Sequence, residues 1–144
     1  MTFNGITREF DLANEQQYET IGRFWDEMAL RFGLENLRGL GYAWCGNTIS
    51  YAIGLKTGDI PDSNFRIMLP DGDWQTVKGY TVRLKDIYDE IYLAGTLQYE
   101  IETFYEDGTC EICYYRESKN GSAYDRRCRF YNLMGYAPGR FWYR

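Results

Sequence analysis

The sequence predicts an α+β fold: two βαββ repeats forming one antiparallel sheet, with two packed helices and a cleft at the pseudo-two-fold seam. Three observations predict it. Two stretches carry apolar residues at helical spacing, each is followed by a pair of short β runs, and each pair is split by a tight turn. A length of 144 residues suits one compact domain, large enough to bury a core without a disulfide or a metal staple.

The first helix covers about 15–32, where Tyr18, Ile21, Trp25, Met28 and Phe32 recur at steps of three and four. Asn14 is its expected N-cap and Gly33 its stop. Leu40–Cys45 and Thr48–Ile53 then read as strands joined by Gly46-Asn47, residues that tolerate the left-handed turn of a two-residue hairpin. The second half begins with extended runs at Phe65–Leu69 and Trp74–Val82, broken by Pro70-Asp71-Gly72-Asp73. A second helix over about 84–94 turns Leu84, Ile87, Tyr88 and Ile91 inward and ends near Gly95. Tyr99–Tyr105 and Cys110–Arg116 form the second hairpin across Glu106-Asp107-Gly108-Thr109.

Charge divides the chain in two. Residues 118–144 carry six basic residues against Asp125, or +5, which leaves −10 on residues 1–117 of a total of −5. The loop-forming run Glu117-Ser118-Lys119-Asn120-Gly121-Ser122 marks the boundary. The expected organisation is a core of 1–117 and a basic, aromatic extension of 118–144 with one short helix between Ser122 and Gly135. That extension holds seven rings, too many for a solvated linker, and its expected dock is an acidic face of its own core or of a second copy in a homodimer.

Composition removes several kinds of chemistry. The absence of histidine excludes serine–histidine and cysteine–histidine catalysis and every imidazole metal site. The acidic balance argues against direct nucleic-acid binding. No apolar run is long enough for a membrane span, and Met1–Arg8 lacks the order of a signal peptide, so the expected compartment is the cytoplasm. Four cysteines remain, of which Cys110 and Cys113 have CxxC spacing. On a strand that spacing sends the two thiols to opposite faces, and Cys45 and Cys128 are singletons, so neither a metal nor another cofactor is expected.

One strand carries the chemistry. In Tyr99–Tyr105, period two puts Glu100, Glu102 and Phe104 on one face and Tyr99, Ile101, Thr103 and Tyr105 on the other. The two acids either face water on an open side of the sheet or lie under cover. Under cover, a carboxylate is desolvated and favours its protonated form unless a cation or hydrogen-bond donors approach.

Asp26-Glu27-Met28, preceded by Ile21-Gly22-Arg23-Phe24-Trp25, resembles the first-helix signature of GyrI-like domains. Tyr51-Ala52-Ile53-Gly54, Leu69-Pro70-Asp71-Gly72-Asp73-Trp74 and Ile101-Glu102-Thr103-Phe104 resemble three further motifs of that family, in the same order, so that the likeness spans roughly 3–116. It implies a cleft that binds lipophilic, often cationic, small molecules, with Glu102 at its floor and Phe104 beside it. Trp74, Trp25 and Tyr51 become candidates for its walls, and Glu100, off the motif but on the same face, a second anion. Trp25 also fits plain core, on the inward stripe of its helix. Tyr92-Leu93 stands where the family carries Trp-Leu, the link to the acidic strand is short, and the extension has no counterpart.

The expected function is a stand-alone binder of such compounds. No DNA-reading segment precedes the domain, which points away from a regulator acting alone. Two alternatives stand beside it. One is a hydrolase of strained electrophiles with Glu102 as acid/base and Tyr51 or Tyr114 as partner. The other is a gyrase-inhibitor-like protein-interaction module, to which an acidic core would contribute.

Overall fold

The computed structural model describes residues 1–116, and the extension, including its expected helix, dock and Cys128, lies outside them. Seven strands and two helices make up the described chain: β1 (Thr2–Asp11), α1 (Gln17–Phe32), β2 (Leu37–Cys45), β3 (Thr48–Leu55), β4 (Phe65–Met68), β5 (Gln75–Tyr80), α2 (Leu84–Leu93), β6 (Leu97–Phe104) and β7 (Thr109–Arg116). They form one sheet in the order β4-β1-β3-β2-β6-β7-β5, with neighbours antiparallel. The class is therefore α+β, as the sequence predicts.

The helices keep to one face of that sheet. Ile21, Phe24, Trp25 and Met28 of α1 share a core with Tyr88, Ile91 and Tyr92 of α2 and with Leu37, Ile49, Tyr51, Ile53 and Ile112 from the strands. α1 packs on β1 and β3, while α2 packs on β5. The pair β2–β6 lies at the middle of the sheet, and α2 also reaches β6 through Tyr88 and Tyr92. The opposite face carries a smaller cluster of Phe3, Leu40, Ala52, Leu69 and Ile101, edged by Tyr42, Phe65, Trp74 and Tyr99.

Two details depart from the sequence reading. Asn14 is not the N-cap of α1: it sits at φ 56° in a 3-10 turn over Ala13–Glu15, the helix starts after Gln16, and Gln16 makes no side-chain capping bond. The turn is held instead by Asp11, whose Oδ1 accepts from the Ala13 N–H at 2.9 Å. The strand that the βαββ order requires before the first helix is β1, ten residues long. The two extended runs of the second half are also far apart. β4 pairs with β1 at one edge and β5 with β7 at the other, so the turn at Pro70–Asp73 begins a crossing of the whole sheet. Gly33 does end α1, at φ 85°, with its N–H on the Ala29 carbonyl at 2.8 Å.

β1 and β3 approach so closely at Gly5 and Gly54 that no side chain fits between them. A Cβ on Gly54 would overlap the Asn4 carbonyl oxygen, and one on Gly5 would stand 2.5 Å from that of Ile53. Backbone cannot rotate away as a side chain can. Gly54→Ala should therefore cost about 1–3 kcal/mol and lower the melting temperature. Gly22→Ala, in the middle of α1 with nothing within 4 Å of its Cβ position, should instead stabilise, because alanine favours the helix. Thermal unfolding of the two variants checks the contrast.

Candidate functional site

The alternation read from Tyr99–Tyr105 holds, and it puts Glu100 and Glu102 on the helix-bearing face. Both are buried, at 0% and 3% exposure. The water-facing reading is thereby overturned. Tyr51 on β3 donates its hydroxyl to Glu102 Oε1 in a short hydrogen bond, and Tyr88 on α2 donates to Glu102 Oε2 at 2.7 Å. Tyr92, one turn further along α2, donates to Glu100 Oε2 at 2.8 Å. Trp25 on α1 extends the chain by donating Nε1–H to the Tyr51 oxygen at 2.9 Å. Three elements, β3, α2 and, through Tyr51, α1, thus converge on the two carboxylates of β6.

Two glycines on β2 make room for this. β2 separates β3 from β6, so Tyr51 must reach over it to touch Glu102. Gly39 is the residue paired with Glu102, and a Cβ there would run into the Tyr51 ring and stand 2.8 Å from Trp25. Gly41 is paired with Glu100, and its Cβ would fall 2.9 Å from the Glu100 carboxylate. Neither glycine was singled out from sequence. The signal was there in Gly39-Leu40-Gly41, since glycine at alternate positions inside a strand marks a close approach from one face. Tyr88 and Tyr92 were also missed as site residues, although their spacing of four puts both on one helix face.

The remaining candidates divide between the two faces. Phe104 packs its ring edge-on against Trp25 at 4.9 Å, and so joins the Glu102 cluster. Trp25 is both core and site, 8% exposed and bonded to Tyr51. Trp74 is elsewhere. Its ring lies against Tyr99 and Tyr115 on the opposite face, and its Nε1–H is held by the Pro70 carbonyl at 2.9 Å, so the structure does not bring it to Glu102. Tyr114 pairs in register with Glu100 rather than Glu102, and lines an open cavity of about 640 Å³ with Gln75, Ala94 and Arg116.

Burial and the neighbouring Glu102 charge hold the Tyr51 phenol well above its ordinary value. It stays a neutral donor across the physiological range. Burial likewise pushes the Cys110 thiol up, with the Glu102 charge adding to the effect, so Cys110 is no poised thiolate. Cys110 and Cys113 face opposite sides of β7, opposite Phe104 and Ile101 respectively. Among the described residues no group of three or more acidic or thiol side chains could hold a metal ion, and no helix is long and apolar enough to cross a membrane.

No known protein family and no curated protein matches this chain. Solved structures do. A Staphylococcus aureus MU50 protein described as a candidate bacterial transcription regulator superposes with a TM-score of 0.59 at 16% identity, covering 79% of this chain and 90% of its own. SAV2435, solved bound to tetraphenylphosphonium, superposes with a TM-score of 0.57 at 18% identity, covering 79% of this chain and 87% of its own. At such identities the likeness is one of fold. The chain shares the single-sheet α+β architecture of these two proteins, one of which binds a lipophilic cation.

The Tyr51 environment sets an expectation at high pH. An unfolded phenol ionises near 10 while the buried one does not, so the unfolded state releases a proton first. Stability from this group is complete below pH 10 and falls as pH rises beyond it. Tyr51→Phe should lower stability at neutral pH, since it removes a donor from Glu102, by about 1–3 kcal/mol. It should also flatten the loss of stability between pH 10 and 11.5 relative to the wild-type protein. Urea unfolding at several alkaline pH values checks both.

Proposed function

We propose that the chain binds lipophilic cations at the seam between its two halves, with Glu102 and Glu100 as the anions that select for positive charge. The single observation that carries this reading is the pair of buried carboxylates on β6, Glu102 bonded by the hydroxyls of Tyr51 and Tyr88 and Glu100 by that of Tyr92. Tyrosine hydroxyls stabilise an anion without neutralising it, so the cluster keeps an attraction for cations. A delocalised organic cation is weakly hydrated and interacts well with aromatic rings, which Trp25, Phe104 and Tyr51 supply here.

The strand order supports the two-unit form of this reading. From one side the sheet runs β1-β3-β2 up to the seam, and from the other β5-β7-β6, with α1 and α2 in equivalent places in each unit. A cleft between the helix footprints, and kinship with GyrI-like domains, belong to this same proposal. The bound tetraphenylphosphonium of SAV2435 supports it through a shared fold. Trp74, on the far face, has no part in such a site.

The hydrolase reading has one observation in its favour, the direct Tyr51–Glu102 hydrogen bond, which pairs a proton donor with a carboxylate. It needs an electrophile to enter beside that pair. The cation reading needs only charge and rings, both of which the cluster contains.

Tetraphenylphosphonium titrated into the full-length protein tests the proposal. Glu102→Gln keeps the shape and removes the charge, and should weaken binding by about 2 kcal/mol, roughly thirty-fold in Kd. A neutral aryl compound of similar size, triphenylphosphine oxide, should lose far less. Equal losses for the two probes, or none for the cation, would count against Glu102 as the selecting anion.

A further inference from the structure

We infer that the reverse face of the sheet carries a second binding cleft, between Tyr80 and Tyr105, and that its ligand is a guanine base, free or as a nucleoside. The cleft is separate from the Glu100–Glu102 cluster, which lies on the helix-bearing face.

Tyr80, Tyr105, Thr109, Glu111, Lys78 and Asp107 line a cavity of about 540 Å³ at the end of the β6–β7 hairpin. The register builds it. Tyr80 of β5 pairs with Thr109 of β7, and the Tyr105 N–H donates to the Thr109 carbonyl at 3.0 Å, so the three residues form one row across the sheet. Lys78, Glu111 and Thr103 form the next row, two residues along each strand. Both rows share the face of Tyr99, Ile101 and Cys113, away from the helices.

The walls have the spacing of a two-sided stack. β5 and β6 flank β7, so their backbones stand about 9–10 Å apart. A planar ring in contact with a wall on each side needs about 7–8 Å, and Thr109, between the two tyrosines, is too small to fill that gap. The walls are also held. Thr81, next to Tyr80, donates its N–H to the Gly108 carbonyl at 2.8 Å and its hydroxyl to the Thr109 carbonyl at 3.3 Å. Lys56 sets its ammonium 4.7 Å from the centre of the Tyr105 ring. It follows β3, on the side of β6 away from β7, and so leaves the ring face toward Tyr80 free. Tyr80 is 65% exposed, a large ring kept in water on an ordered strand.

The floor selects among planar ligands. Lys78 and Glu111 stand opposite each other on β5 and β7, yet among the described residues neither enters an ion pair or a side-chain hydrogen bond. A cationic donor and a two-oxygen acceptor thus lie side by side with their capacity unused. The Watson–Crick edge of guanine is their complement: the N1 and N2 hydrogens can share the carboxylate while the adjacent O6 accepts from the ammonium. Adenine instead turns an acceptor, its bare N1, toward the carboxylate. Phosphate is disfavoured here. Asp107 at the rim accepts from the Thr109 hydroxyl and N–H at 2.6 and 2.9 Å, which holds its carboxyl below the usual range, and residues 1–117 carry −10. A base or nucleoside therefore fits better than a nucleotide or a nucleic acid.

Guanosine, inosine and adenosine titrated into the full-length protein test the assignment. Guanosine should bind at least about ten-fold more tightly than adenosine, with inosine, which lacks the N2 amino group, between them. Tyr80→Ala, which trims an exposed ring, should weaken guanosine about ten-fold and leave tetraphenylphosphonium binding unchanged. Glu111→Gln should reduce guanosine to the level of adenosine. Amide NMR shifts locate the site without any substitution: guanosine should move Lys78 and Thr109 and leave Tyr51 and Tyr88 in place. No binding of guanosine at about 1 mM, equal affinity for the three nucleosides, or shifts confined to other residues would overturn the site, as would binding of methyl glucoside in place of guanosine. GMP binding more tightly than guanosine would overturn the nucleoside assignment. Guanosine binding without tetraphenylphosphonium binding would defeat only the cation reading of the helix-bearing face, and the converse would defeat only this cleft.

Discussion

Burying Glu100 and Glu102 in the middle of a seven-stranded sheet costs several kcal/mol per ion unless donors surround the oxygens, and the residues nearby follow from that requirement. Each carboxylate receives tyrosine hydroxyls, from β3 and α2 for Glu102 and from α2 for Glu100. Tyrosine suits the role. Its ring fills the apolar space a core demands, and its hydroxyl supplies the donor at the far end. The same residues are therefore core by volume and site by chemistry.

The spacing of the donors matches the spacing of the acids. Tyr88 and Tyr92 are four residues apart on a helix, a rise of about 6 Å, and Glu102 and Glu100 are two residues apart on a strand, about 6.6 Å. Pairing Tyr88 with Glu102 and Tyr92 with Glu100 sets α2 antiparallel to β6. The two phenol rings stack at 5.6 Å, which keeps both hydroxyls aimed at the sheet. On the other side, Tyr51 must span the width of β2, so that strand gives up side chains at Gly39 and Gly41. The glycines, the tyrosines and the acids form one interlocking set. A change in any one of them disturbs the others.

The two faces of the sheet differ in chemistry. The helix-bearing face holds the charged cluster, whereas Trp74, Tyr99 and Tyr115 form an aromatic group on the reverse side. Rings of equal promise in a composition count thus have different surroundings. Only those of the first group lie on the face that carries Glu102. Phe104 and Trp25 belong to it because of strand parity in one case and helix phase in the other.

Local rules determined much of this protein from sequence alone. Period two in β6 put Glu100, Glu102 and Phe104 together, helical period identified both helices, and Gly33 and Gly46-Asn47 punctuated the chain where the structure does, because these are effects of neighbouring residues on one backbone. Tertiary structure decided the rest. Whether the acid-bearing face met water or helices depended on which side α1 and α2 packed, and strand periodicity is the same in either case. The separation of β4 from β5 and the placing of Trp74 on the far face depended on which edges were paired, information held in no local pattern. The Tyr51–Glu102 bond joins residues 51 positions apart across an intervening strand, and it exists only because Gly39 leaves the space.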